Sequence, residues 1–297
     1  MIVPPYLKKG DTILVIGTAR ARNKEQLLPA FAILKNWRLV VELGENLFKT
    51  HHQFAGTDEE RAHDLQWAIN HKSAKAILIA GGGYGTLRII DFVNFSPLKK
   101  YPKWLIGYSD TTIIHSRLQK LNIACIHGTM AFQFPKNKVA TTSIKKLLFN
   151  EAVKYFIPKN KLNKIGAAQA QIIGGNLSLL YALSGSIDDL NTKNKILFIE
   201  DLDEQLYHID RMMLQLKRSG KLKNIKGLIV GGMSDMKDNA IPFGKTAEEI
   251  ILDAVKEYNY PVCFNFPAGH IEKNMAIYMG KTASLLVEKN KVQFNYL

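Results

Sequence analysis

Three side chains in this sequence have the types and the chain order of a nucleophile, a carboxylate and a base. They are Ser109 in "WLIGYSDTTIIH", Glu200 at the end of "KILFIE" and His270 in "FPAGHIEKN". A serine hydroxyl attacks a carbonyl when a base takes its proton, and the base needs a third group to orient it. Ser, then Glu, then His is one of the known orders for such a set. Each residue also has an ordinary use. Ser109 stands where a strand hands over to a helix, and Ser, Asp and Thr all make good N-caps. The G-x-S-x-G elbow is absent, because position 111 is Thr. Glu200, with Asp201 beside it, could cap a helix starting near Asp203. His270 lies in a Pro/Gly-rich loop after an apolar strand, where a ring faces a site more readily than a core. The rival base is His127, at the end of "IACIH". His115 falls in the helix after Ser109, His208 on a charged helix, and His51, His52 and His63 in or near polar segments.

A second feature is "GGGYGT", residues 81–86, after the apolar run "AILIA". It matches neither G-x-G-x-x-G nor the P-loop pattern, so nucleotide binding has weak support. Glycines there let backbone N–H groups approach a substrate oxygen, as an oxyanion hole requires; a plain tight turn explains them too. No H-E-x-x-H, Cys cluster or His-x-His pair offers metal ligands, and no cofactor is expected.

These residues need a scaffold that gathers them. Ligands of open α/β sheets collect at the carboxyl ends of the strands, and the candidates all follow apolar runs. Strands are expected at 12–17, 38–43, 74–83, 104–107 and 123–128, with helices at 24–37 (despite an internal proline), 57–72 and 110–120. That alternation predicts βαβ units and a mostly parallel sheet. Residues 136–165 break the pattern with a Lys/Asn-rich run and read as a linker. The second half offers strands at 168–173, 195–200 and 226–231, helices at 204–219 and 244–257, and a closing hairpin that turns at Lys289 and Asn290. The expected fold is α/β, with domains at 1–135 and 166–297.

Composition limits the partners. The chain has 297 residues, 46% hydrophobic, and a net charge of +14. Only 8 of its 40 basic residues are Arg, whereas specific base reading leans on Arg. The densest cluster, "KRSGKLKNIKG", lies at a helix end and loop, where solvated lysine is ordinary. A nucleic-acid partner is therefore not expected, although the charge suits an acidic small substrate. No run reaches membrane-spanning length and the N-terminus lacks a signal-peptide pattern, so a cytoplasmic protein is expected. Cys125 and Cys263 sit in apolar runs and read as buried free thiols.

Taken together, "PPYLKKGDTILVIG", "FAGTDEERAHDLQWAI", "GGYGTLRIIDFVNF", "LIGYSDTTIIH", "HGTMAFQF", "GGNLSLL", "FIEDLDEQLYHIDRMMLQLKRSG", "KGLIVGG" and "FPAGHIEKNMAIYMG" resemble the LD-carboxypeptidases, serine peptidase family S66. The resemblance covers nearly the whole chain. It implies a Rossmann-like N-terminal domain carrying Ser109 as nucleophile and a smaller C-terminal α/β domain carrying Glu200 and His270. It further implies an oxyanion hole from the N–H groups of Gly83 and Asp110, and substrate contacts from Gly82, Tyr84 and Asn176. Such enzymes are cytoplasmic homodimers without a metal, and they release the terminal D-Ala of murein tetrapeptides. A branch of the family instead hydrolyses antibiotic peptide-nucleotide conjugates, and a non-catalytic Rossmann-type binding module is the remaining alternative. Two positions depart from the family pattern: Gly81 stands where Arg is common, and Thr129 where Pro is common. The first bears on how substrate carboxylates are held.

Overall fold

The computed structural model describes all 297 residues. They divide into two units: Met1–Val153 with Met275–Gly280, and Lys154–Asn274 with Lys281–Leu297.

The first unit alternates strands and helices. Its elements are β1 (Thr12–Ile16), α1 (Lys24–Asn36), β2 (Val40–Leu43), α2 (Asp58–Asn70), β3 (Ala76–Ile79), two short helices α3 (Thr86–Ile89) and α4 (Pro97–Lys100), β4 (Trp104–Gly107), α5 (Thr112–Lys120), β5 (Cys125–His127) and α6 (Lys138–Leu148). The sheet gains an edge strand from late in the chain, β10 (Ile277–Met279), and runs β10-β5-β4-β3-β1-β2. All pairs are parallel except β10 with β5. The central strands read as unbroken apolar runs because both faces are covered: every residue of β3 and β4 is buried. Local signals set the helix starts. Asn23 with Gln26, and Thr57 with Glu60, form capping boxes on α1 and α2. α1 continues through Pro29.

The second unit holds β6 (Gly166–Asn176), α7 (Leu177–Ala182), β7 (Ile196–Leu202), α8 (Leu206–Arg218), β8 (Gly227–Ser234), α9 (Ala247–Val255), β9 (Val262–Cys263), β11 (Thr282–Val287) and β12 (Val292–Tyr296). Its sheet order is β12-β11-β6-β7-β8-β9. β6 to β9 are parallel, and the terminal β11–β12 hairpin adds antiparallel strands beside β6. Ile209, Met212, Met213 and Leu216 of α8 recur at helical spacing and pack with Ile199, Val230 and Ile251 in one core. Both units are α/β with mostly parallel sheets.

Two segments differ from the sequence expectation. Residues 136–153, read as part of a linker, lie in the first unit. They contain α6, which starts on Asn137, whose side chain accepts from the N–H groups of Val139 and Ala140 at 3.0 Å. It buries Ala140, Ile144, Leu147 and Leu148; its lysines lie on the other face and masked the apolar stripe. Residues 275–280 belong to the first unit rather than to a continuous second domain, because β10 pairs with β5 through Ile277 opposite His127.

Candidate active site

In the first unit, β4 delivers Ser109. Tyr108 is extended, then Ser109 turns into the left-handed region at φ 59° and opens a 3-10 turn that leads into α5. A non-glycine residue held there is strained by roughly 1–2 kcal/mol. Ser109 is not the N-cap of either helix: Tyr108 holds that position for the 3-10 turn and Thr111 for α5. The turn is tight enough that a Cβ on Gly107 would lie 2.5 Å from Oγ1 of Thr111.

Asp110 joins this turn to the glycine turn. Its Oδ2 accepts the backbone N–H of Thr86 at 2.8 Å. Burial pushes its carboxyl up to about 6, against the hydrogen bonds from Thr86. Gly83 has φ 115° and Gly85 φ 151°, conformations that favour glycine. A Cβ on Gly82 would come within 3.6 Å of Cβ of Ser109, so the glycine turn lies directly beside the serine. The N–H of Asp110 belongs to a first helical turn, where amides lack intrahelical partners. Tyr84 is 45% exposed at the tip of the glycine turn, near the ring of Phe54. His127 and His115 are both fully buried in the same unit, with ring centroids 6.4 Å apart, and burial takes His115 down to about 3, leaving it neutral.

In the second unit, Glu200 and His270 come together. His270 Nδ1 donates to Oε2 of Glu200 at 2.6 Å, and the His270 backbone N–H reaches the same oxygen at 3.1 Å. Glu200 is fully buried. It caps no helix: α8 has Gln205 at its N-cap. With Nδ1 protonated and bound, Nε2 is the nitrogen left to act as a base. Burial is the largest influence on His270 and disfavours its charge, but the charge and hydrogen bond of Glu200, with Asp201 behind, outweigh it and raise its pKa. The loop is fixed by backbone: Gly232 N–H donates to Ala268 at 2.9 Å, and Gly269 N–H to Oδ1 of Asn274 at 2.8 Å. Gly269 has φ 102°, and a Cβ there would meet Cβ of Glu200 at 2.6 Å.

Asn176 caps α7, accepting from Leu179 N–H at 3.2 Å and from the Ser178 hydroxyl at 2.7 Å, while its Nδ2 donates to Asp201 at 2.8 Å. Asp201 also accepts the Ser178 N–H at 2.8 Å. Burial and then the charge of Glu200 push Asp201 up to about 7. Asp201 thus ties the end of β7 to the start of α7, a role that its position beside Glu200 hinted at without defining. Arg20 and Arg22, which flank the glycine turn, carried no signal in sequence because they sit in an ordinary polar loop. His208 of α8 pairs at 2.6 Å with Glu204, just before the helix.

A two-sheet α/β chain with a serine at a left-handed strand-to-helix turn and a Glu–His pair between β7 and the loop after β9 has clear relatives. The LD-carboxypeptidase N-terminal domain matches residues 13–128, and the LD-carboxypeptidase C-terminal domain matches residues 169–285. The chain belongs to the LD-carboxypeptidase family. It is 33% identical over 293 residues to a probable murein peptide carboxypeptidase of Bacillus subtilis (strain 168), covering 95% of this chain and 91% of that protein. The crystal structure of muramoyltetrapeptide carboxypeptidase from Oxalobacter formigenes superposes with a TM-score of 0.86 at 26% identity, covering 96% of this chain and 98% of that one. The microcin C7 self immunity protein MccF, solved in complex with aspartyl sulfamoyl adenosine, shares the fold at TM-score 0.85 and 19% identity, covering 98% of this chain and 97% of that one.

Proposed function

We propose that this chain is a serine-type LD-carboxypeptidase that releases the terminal D-Ala of murein tetrapeptides, with Ser109 as nucleophile, His270 as base and Glu200 as the carboxylate that orients the base. The observation that carries this reading is the double hydrogen bond from His270 to Oε2 of Glu200, which commits Nδ1 and reserves Nε2 for a proton. The positive φ of Ser109 supports it, because strained backbone collects at nucleophiles. So does the murein peptide carboxypeptidase relative.

In this mechanism His270 Nε2 takes the Ser109 proton as Oγ bonds to the carbonyl carbon of the diamino-acid residue. The carbonyl oxygen becomes an oxyanion facing the N–H groups of Gly83 and Asp110. The C–N bond then breaks, His270 returns its proton to the departing amine, and D-Ala leaves. Water, losing a proton to His270, attacks the acyl-enzyme, and Ser109 regains its proton as the peptide acid departs. Preorganised donors at the oxyanion are each worth about 3–4 kcal/mol of barrier. Gly82 and Tyr84 are the substrate contacts of this reading; Asn176 acts through Asp201.

The reading puts the enzyme in the cytoplasm as a homodimer acting on recycled wall peptides; no helix is long and apolar enough to cross a membrane. Single Ala variants of Ser109, Glu200 and His270, assayed for D-Ala release from a murein tetrapeptide, test it. Full activity in Ser109→Ala sinks the mechanism. A substrate panel including a peptide-nucleotide conjugate tests the substrate class: preference for the conjugate would move the chain to the immunity branch.

A further inference from the structure

The first sheet changes direction at one place. β1 has β2 on one side and β3 on the other, so the connections after β1 and β3 diverge there. Ile16 sits opposite Ile79 at the carboxyl ends of those strands. A crevice at such a switch point is where open α/β sheets take ligands. The loop after β1 carries Arg20 and Arg22, and the loop after β3 carries the three glycines.

The two loops interlock. Arg20 N–H donates to the Gly82 carbonyl at 3.3 Å. A Cβ on Gly81 would lie 2.6 Å from Nε of Arg22, and a Cβ on Gly83 would lie 2.6 Å from Cδ of Arg20. One arginine therefore lies against each side of Gly82, the glycine whose own Cβ would approach Ser109. The glycines at 81 and 83 leave the space that these side chains fill.

Neither guanidinium has a carboxylate partner, whereas Arg61, Arg88 and Arg117 in the same unit all do. Arg22 stacks on Phe132 with Cζ 4.1 Å from the ring centroid, and Nη1 donates to the Ala21 carbonyl at 3.3 Å. Its Nε is buried with no hydrogen-bond partner. Burial, then the neighbouring Arg20, lowers the pKa of Arg22. Two like charges beside each other, one partly desolvated, make an arrangement that an anion would complete.

We propose that Arg20 and Arg22 receive the free terminal carboxylate of the peptide substrate. The identity of that substrate rests on the function proposed above. In a carboxypeptidase reaction one residue, an extension of roughly 3.5 Å, separates the attacked carbonyl from the terminal carboxylate, so its receptor must flank the nucleophile. The arginines do so across the glycine turn. The family resemblance puts an arginine at the position of Gly81; here the missing side chain at 81 is the room in which Arg22 lies, and the guanidinium reaches the turn from the neighbouring loop.

The test uses Ser109→Ala protein, which holds peptide without turnover, and calorimetric binding of a murein tetrapeptide as free acid or as C-terminal amide. The acid should bind about ten- to a hundredfold more tightly than the amide. Arg22→Gln and Arg20→Gln should each remove most of that preference while leaving amide affinity unchanged, and Arg22→Lys should not restore it. The exchange Arg22→Ala with Gly81→Arg should recover it. In the Ser109 background the same variants should raise KM for the acid more than they lower kcat. Equal binding of acid and amide, no binding of either, or an equal loss of both in the arginine variants overturns the proposal. D-Ala release by wild-type protein together with equal acid and amide binding rejects the arginine site alone. Acid preference in a wild-type protein that releases no D-Ala rejects the reaction and keeps the site.

Discussion

Oε2 of Glu200 accepts both the ring Nδ1–H and the backbone N–H of His270, at 2.6 and 3.1 Å. One buried oxygen thus fixes the ring's tautomer and the loop that carries it. Glu200→Gln keeps the size and an accepting oxygen but removes the negative charge beside the ring. We expect kcat to fall about a thousandfold with KM little changed, since the carboxylate's charge stabilises the imidazolium that forms in the transition state. Steady-state kinetics on the tetrapeptide check this.

In the proposed mechanism the same pair sets the pH profile. The pKa of His270 is raised by Glu200 against burial, and a protonated ring cannot act as a base. The acid limb of kcat/KM should therefore lie above the usual imidazole range, with activity rising as pH increases through it. In residual-activity measurements on Glu200→Gln, the limb should move to lower pH. An unmoved limb would assign it to another group.

Strain at Ser109 gives an inverted stability order. Replacing a residue by Gly ordinarily destabilises relative to Ala, but Ser109 sits at φ 59°. Ser109→Gly should be more stable than Ser109→Ala by about 1 kcal/mol, with both inactive. Urea denaturation of the two variants compares them directly.

Asp110 links pH to stability. It titrates at about 6 in the folded chain and near 3.9 when unfolded. Between those values the folded state holds the extra proton. Its contribution is complete below the unfolded pKa and is lost as pH rises through about 6. The loss amounts to about 3 kcal/mol. Asp110→Asn lacks this titration, so the stability of the variant relative to wild type should rise between pH 4 and 8. Thermal melts across that range would show it, and a constant difference would contradict it.

Gly269 leaves no room for a side chain. Its φ is 102°, and an added Cβ would meet Glu200 at Cβ and at Oε2. Gly269→Ala should cost about 1–3 kcal/mol and reduce kcat, because the carboxylate must move off His270. A neutral substitution by both calorimetry and kinetics would show that the loop yields freely.

The extent to which the sequence spoke depended on how local each signal was. β1, β3 and β4 are short apolar runs whose burial on both faces needs no partner to recognise, and "WLIG" has the expected bounds of β4. The terminal hairpin was equally plain. β10 was not, because three residues become a strand only by pairing with β5, about 150 positions earlier. Glu200 and His270 were legible as polar residues at the ends of apolar strands. Arg20 and Arg22 looked like surface charge, and only the order of strands in the sheet brings their loop against the glycine turn.

That late strand gives the chain a built-in order of completion. A polypeptide cut after Val153 would leave β5 as a bare edge, with a row of unpaired amides and carbonyls open to other chains. As the protein emerges during synthesis, the sheet that carries Ser109 stays unfinished until Ile277–Met279 arrives, and by then His270 has already been made. The sheet that carries Ser109 therefore closes only after His270 exists, and a prematurely terminated product exposes a sticky edge in place of a finished first unit.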